Sequence, residues 1–113
     1  MKKISFLIKL KKEGKLKAVE PGEEIKESYQ QKSRNSLKSA QILLQNRQIE
    51  DAVPLAYYSM YYVLTALLFK VGIKCENHSA SIIILKELFR IDDSAISFAK
   101  TERVDKQYML ISK

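Results

Sequence analysis

Glycine and proline are scarce in this chain, with three and two residues among 113. Folds assembled from hairpins lean on those residues for their turns, so a β-sandwich or barrel is excluded. Cysteine is rarer still. Cys75 stands alone, which removes any internal disulfide framework and fits a reducing cytoplasm. His78 is the only imidazole, and with one cysteine it cannot build a zinc site from soft ligands. No metal is therefore expected, and no motif calls for a cofactor. Tryptophan is absent, as are a glycine-rich phosphate loop, an internal repeat and a low-complexity tract. The start is basic, but its apolar patch Ile4 to Leu10 is short and broken by Lys9, unlike a secretory leader.

What remains is rich in Leu, Ile, Lys, Glu, Ser and Gln, the composition of an all-α domain. Its length suits one domain with a real core. The net charge of +7 is uneven. Residues 1 to 17 hold seven lysines against Glu13, whereas the remaining ninety-six residues carry thirteen basic and twelve acidic groups. Residues 1–20 are thus expected to form a basic N-terminal arm, with the bundle at 21–113. Such an arm can meet RNA phosphates or an anionic surface, or simply keep the protein soluble.

Ala52 to Phe69 is the one long run without a charge. Its apolar residues go all the way round a helical wheel, so a soluble helix here must be covered on every side. The run is also close to the length of a bilayer span. Pro54, Ser59, Thr65 and the tyrosines 57, 58, 61 and 62 stand against that reading, because spanning tyrosines prefer the interfaces. A central buried helix and no membrane are expected. Tyr57 and Tyr61 are four apart, as are Tyr58 and Tyr62, so they form two adjacent ridges. Such ridges are either core residues with partnered hydroxyls or a polar-tipped wall lining a groove or a dimer seam.

Around this helix the pattern predicts three more. One follows Pro21-Gly22, with acids crowding its start and a stripe from Ile25 to Leu44 in steps of three and four. Gln45 to Gln48 forms a polar turn. Asp51 is the expected N-cap of the central helix, which would put Pro54 in the first turn, and Gly72 its left-handed C-terminal cap. Ile73 to Asn77 reads as a loop, with Asn77 or Ser79 capping the third helix. Asp92 or Asp93 opens the last. Short connections join antiparallel neighbours. The expected fold is an up-and-down antiparallel bundle of four main helices with a basic N-terminal arm.

Chemistry-bearing patterns are few. No serine or cysteine sits at a recognisable nucleophile spacing, although triads assemble in space rather than along the chain. Asp92-Asp93 is explained by capping. His78-Ser79 at a helix start either serves that start or uses its free N–H groups to hold a phosphate.

The order Ala52-Val53-Pro54-Leu55-Ala56-Tyr57-Tyr58-Ser59-Met60-Tyr61-Tyr62, then Ala66-Leu67-Leu68, Gly72-Ile73 and His78-Ser79, resembles the HEPN domain. The branch it is most similar to is the small stand-alone UPF0332-like proteins. Ser36 to Leu44 and Arg103 to Tyr108 also fit, so the resemblance covers about residues 28–108. It implies a helical bundle, usually dimeric, that works beside a minimal nucleotidyltransferase in a toxin–antitoxin or stress-response pair. Many such proteins are metal-independent ribonucleases whose motif is an Arg, four to six residues, then a His. Here Arg103 takes the Arg place and Tyr108 stands where the His would be, and His78 lies on a different helix start. Relatives often continue with a further helix beyond the place of Lys113.

The expected function is a HEPN-type module that binds nucleotide or RNA through His78, Ser79, Tyr57, Tyr58, Tyr61 and Arg103. Its ribonuclease motif, Arg103 and Tyr108, is degenerate. A homodimer and a nucleotidyltransferase partner go with that reading. The alternatives are an active ribonuclease using Arg103 and Tyr108, and a purely structural dimerisation module.

Overall fold

The computed structural model describes the backbone of residues 2–112 and the side chains of residues 5–104. Five helices and two short strands follow in the order α1 (Lys2–Lys12), β1 (Leu16–Ala18), α2 (Glu23–Gln45), α3 (Ile49–Lys70), β2 (Ile73–Cys75), α4 (His78–Glu87) and α5 (Ser94–Ser112). The fold is mainly helical, as the composition demands.

The axis of the molecule is α3. It packs along α2 and α5 and also meets β2 and α4. By length and composition α3 could cross a membrane, but Tyr57, Tyr61, Leu64 and Leu68 are buried against Ile82, Ile84, Leu85 and Ile96. Cover is incomplete. Met60 and Val63 stay exposed and line an apolar groove of about 560 Å³ with Leu37 of α2 and Ile91 before α5. Within one chain, then, the all-round apolar helix keeps one open face.

The α2–α3 pair is a hairpin closed by Asn46 to Gln48, with Arg47 in the left-handed region at φ 63°. Serines let the two backbones approach. Ser33 Oγ donates to the Ser59 carbonyl at 2.8 Å, and Ser59 Oγ donates to the Ser33 carbonyl at 3.0 Å. Both serines are buried, so this reciprocal clamp fixes the register of the pair where no water can substitute.

Helix ends largely follow the expected chemistry. Gly72 has φ +80°, and a Cβ there would meet the Val19 carbonyl oxygen at 2.6 Å. The Asn77 side chain accepts from Ala80 N–H at 2.9 Å and caps α4. Asp92 accepts from Ser94 N–H at 3.0 Å at the start of α5. One cap differs: Gln48, not Asp51, precedes α3. Asp51 then lies in the first turn, where the helix dipole favours its charge. Pro54 falls in the second turn, beyond the positions whose N–H is free in any case.

The first twenty residues depart furthest from expectation. They do not form an arm. Lys2–Lys12 is a helix whose Leu10 is 3% exposed, and Leu7 and Leu16 pack on the core. Gly14, at φ 77°, turns the chain into β1. That strand pairs antiparallel with β2, Leu16 facing Cys75 and Ala18 facing Ile73. Val19 N–H extends the ribbon to the Gly72 carbonyl at 2.8 Å. The lysines at 9, 11, 12, 15 and 17 project to solvent while the leucines between them face inward, a division of labour that a charge count does not reveal. A second departure is α4. Its ten residues give about 15 Å of helix against about 33 Å for α3, so it cannot serve as a full-length member of a four-helix bundle.

Candidate functional site

Three elements that are far apart in sequence meet on the tyrosine face of α3. Tyr57 and Tyr61 form its buried ridge, and Tyr58 and Tyr62 its half-exposed ridge. The rings within each ridge stack, with centroids 6.0 Å and 6.1 Å apart respectively. Both sequence readings of the tyrosines therefore hold, one for each ridge. The buried hydroxyls are partnered: Tyr57 Oη lies 2.8 Å from His78 Nδ1, and Tyr61 Oη lies 3.2 Å from Ser81 Oγ. The imidazole of His78 also lies on the Tyr61 ring, with centroids 3.8 Å apart.

From α5, Arg103 reaches the same place. Its guanidinium carbon is 4.8 Å from the centre of the Tyr57 ring, and Nη1 donates to Tyr58 Oη at 3.0 Å. Arg103 and His78 thus flank one tyrosine although twenty-four residues separate them in sequence. One turn earlier on α5, Lys100 Nζ donates to Ser79 Oγ at 2.6 Å. Sequence reasoning does not single out Lys100. Its spacing of three from Arg103, which places both on one helix face, is the available signal.

The electrostatics of this cluster are one-sided. The first turn of α4 holds no acid, and its N–H groups carry the positive end of a helix dipole. Arg103 and Lys100 form no ion pair with a described acidic residue. A guanidinium has five N–H donors. Only Nη1 of Arg103 has a partner among the described residues, and Nε is buried without one. Burial, then the charges of Arg103 and Lys100, hold His78 below the usual imidazole range. Burial pushes the Tyr57 hydroxyl up to about 12, against a smaller opposing pull from Arg103. Tyr61 is likewise raised, chiefly by burial.

Tyr57 is fully buried, and the one acceptor its hydroxyl meets among the described residues is His78 Nδ1. With the imidazole neutral, a Tyr57 hydroxyl that donates to Nδ1 leaves the ring proton on Nε2. In that tautomer Nε2 is a hydrogen-bond donor.

Beside the cluster, a groove of about 390 Å³ runs between α2, α3 and β2, with His78 in its wall. No group of three or more His, Cys, Asp or Glu suited to a metal occurs among the described residues. His78, Ser79, Tyr57, Tyr58, Tyr61 and Arg103 are thus brought together. Tyr108 belongs to α5, but its side chain lies outside the described residues, so the pairing of Arg103 with Tyr108 has no side-chain geometry here.

Comparisons with known proteins identify the family. The HEPN domain family model matches residues 26–112, which include the whole cluster. A curated UPF0332 protein from Thermotoga maritima is 29% identical over 85 residues, covering 75% of this chain and 58% of that protein. The chain thus spans somewhat over half the length of that relative. No solved structure matches. With most of its length matched by the family model, α2 to α5 included, the chain belongs to the HEPN domain family.

Proposed function

We propose that this HEPN module binds the phosphate of a nucleotide or RNA at the cluster of His78, Ser79, Lys100 and Arg103. The observation that carries the reading is Arg103. Its guanidinium is half-buried against two tyrosine faces, with most of its donors unpaired among the described residues. A cation held there without a carboxylate among the described residues is poised for an anion, and the planar fork suits two phosphate oxygens at once. Lys100 and the first-turn N–H groups of α4 that the Asn77 cap leaves free add donors around it.

Binding is favoured over cleavage by the degenerate motif, in which Tyr108 stands in the histidine place. Metal-independent RNA cleavage needs a base to take the 2′-hydroxyl proton and an acid for the leaving oxygen. The Tyr57 hydroxyl, raised to about 12, moves a proton poorly at neutral pH. A phenol, the group that Tyr108 brings to the histidine place, is a poorer proton shuttle near neutral pH than an imidazole. The module accordingly acts as a binder beside a minimal nucleotidyltransferase partner, in cytoplasm, and as a homodimer that covers the open face at Met60 and Val63.

Titration of the protein with inorganic phosphate, AMP and single-stranded RNA tests the reading. Arg103→Ala is expected to lower affinity for each by about tenfold or more, the order of a charge-assisted bidentate contact. RNA incubated with the protein and a chelator is expected to stay intact, and Tyr108→His to create or raise cleavage. Chelator-resistant degradation that Tyr108→Phe abolishes would establish the ribonuclease alternative instead.

A further inference from the structure

The geometry points to a nucleobase subsite in the groove between α2, α3 and β2, which makes the ligand an unpaired nucleotide rather than a free phosphate. This rests on the phosphate reading of the adjoining cluster. The groove's volume of about 390 Å³ falls at the small end of the ~300–1,000 Å³ usual for small-molecule sites.

Its walls are aromatic. Tyr29 of α2 lies 5.8 Å from Phe69 with the rings within 10° of parallel, and 5.9 Å from Tyr62. Tyr58, Tyr62 and His78 complete the wall. Two kinds of tyrosine meet here. Those of the buried ridge satisfy their hydroxyls on His78 and Ser81. The hydroxyls of Tyr29 and Tyr62 have no hydrogen-bond partner among the described residues, and both rings stay half-exposed. Flat faces with unspent polar tips suit a base, since every base offers a π-face and hydrogen-bonding edges.

Charge selects the occupant. Lys32 Nζ lies 5.1 Å and 5.8 Å from the ring centres of Tyr29 and Tyr62, while Lys74 and Glu76, both in the wall, neutralise each other at 3.5 Å and leave Lys32 as the cation beside the rings. Tyr58 and His78 belong to both places: they line the groove, and they touch Arg103 and Tyr57 in the cluster. A base in the groove would therefore carry its own phosphate toward Arg103. Duplex RNA does not fit this scheme, because its bases are stacked inside the helix.

The test compares ribose 5-phosphate, AMP and a five-residue oligoadenylate, each titrated into the intact chain by NMR. AMP is expected to bind about tenfold more tightly than ribose 5-phosphate. Tyr62→Leu should remove that advantage and leave ribose 5-phosphate unchanged, whereas Arg103→Ala should weaken all three. A fluorescent 2-aminopurine nucleotide, quenched on stacking, reads the same subsite in the unmodified protein should Tyr62→Leu fail to fold. Tighter binding of the oligoadenylate than of AMP identifies RNA as the source of the nucleotide, and equal binding a free nucleotide; both support the subsite. Equal affinity for AMP and ribose 5-phosphate, without quenching, overturns the base subsite and leaves the phosphate cluster standing. Binding of none of the probes overturns both.

Discussion

The hydroxyl of Tyr57 and Nδ1 of His78 stand 2.8 Å apart, joining the middle of α3 to the first residue of α4. The bond is made inside the protein by a fully buried ring and a neutral imidazole. It aligns the start of α4 with the face of α3 that Arg103 also touches.

Because that imidazole must be neutral to accept, stability should depend on its protonation. His78 has its folded pKa lowered below 6.5, so the folded state binds fewer protons than the unfolded chain there. The contribution is present above 6.5 and is lost as pH falls through the lowered value. Melting temperature is expected to drop between pH ~7 and ~5, and His78→Gln to flatten the drop. An equal slope in wild type and variant would remove His78 as its source.

Tyr57 gives the opposite sign. Its folded pKa, raised to about 12, stabilises the fold below the ordinary phenol value of 10.0, and that contribution is lost as pH rises from there toward 12. Tyr57→Phe should reduce the alkaline loss, leaving the part that the likewise raised Tyr61 contributes. It should also cost about 1–3 kcal/mol at neutral pH by leaving Nδ1 unpaired, read by urea denaturation at neutral pH and again above the ordinary phenol value.

Leu64 is 3% exposed in the middle of α3. Leu64→Asp buries an unpaired charge and should cost several kcal/mol, comparable with the whole stability of a small domain. A soluble variant with native circular dichroism and melting would show that this face of α3 is open in solution.

Sedimentation should find a dimer at micromolar concentration, since Met60, Val63, Leu37 and Ile91 leave an apolar groove uncovered within one chain. Val63→Lys should shift the protein to monomer while leaving its helix content intact. A wild type that sediments as monomer at tens of micromolar refutes this.

The lysine-rich segment requires a gentler test than deletion. Removing residues 1–17 would take away buried Leu10 and most of β1, so effects on binding and on folding would be confounded. Replacing Lys9, Lys11, Lys15 and Lys17 by Gln leaves the leucines in place. If these lysines meet RNA, the salt dependence of binding should flatten by roughly 0.7 for each phosphate no longer neutralised. An unchanged slope assigns them to solubility alone.

Much of this molecule is legible along the chain, because local chemistry decides local structure. Periodicity marks α2, the long uncharged run marks α3, capping residues mark the starts of α4 and α5, and the spacing of four marks the two tyrosine ridges. The family is legible too, since its signature residues line the central helix. Other features depend on partners distant in sequence. Leu16 to Ala18 carries almost no strand signal, and only pairing with Ile73 to Cys75 makes it a strand. The lysines at the start are solvated, as their charge suggests, but the burial of Leu10 beneath them is a matter of what α1 lies against. Above all, counting residues separates His78 from Arg103. The fold brings α4 and α5 to the same face of α3, and one tyrosine ring touches both.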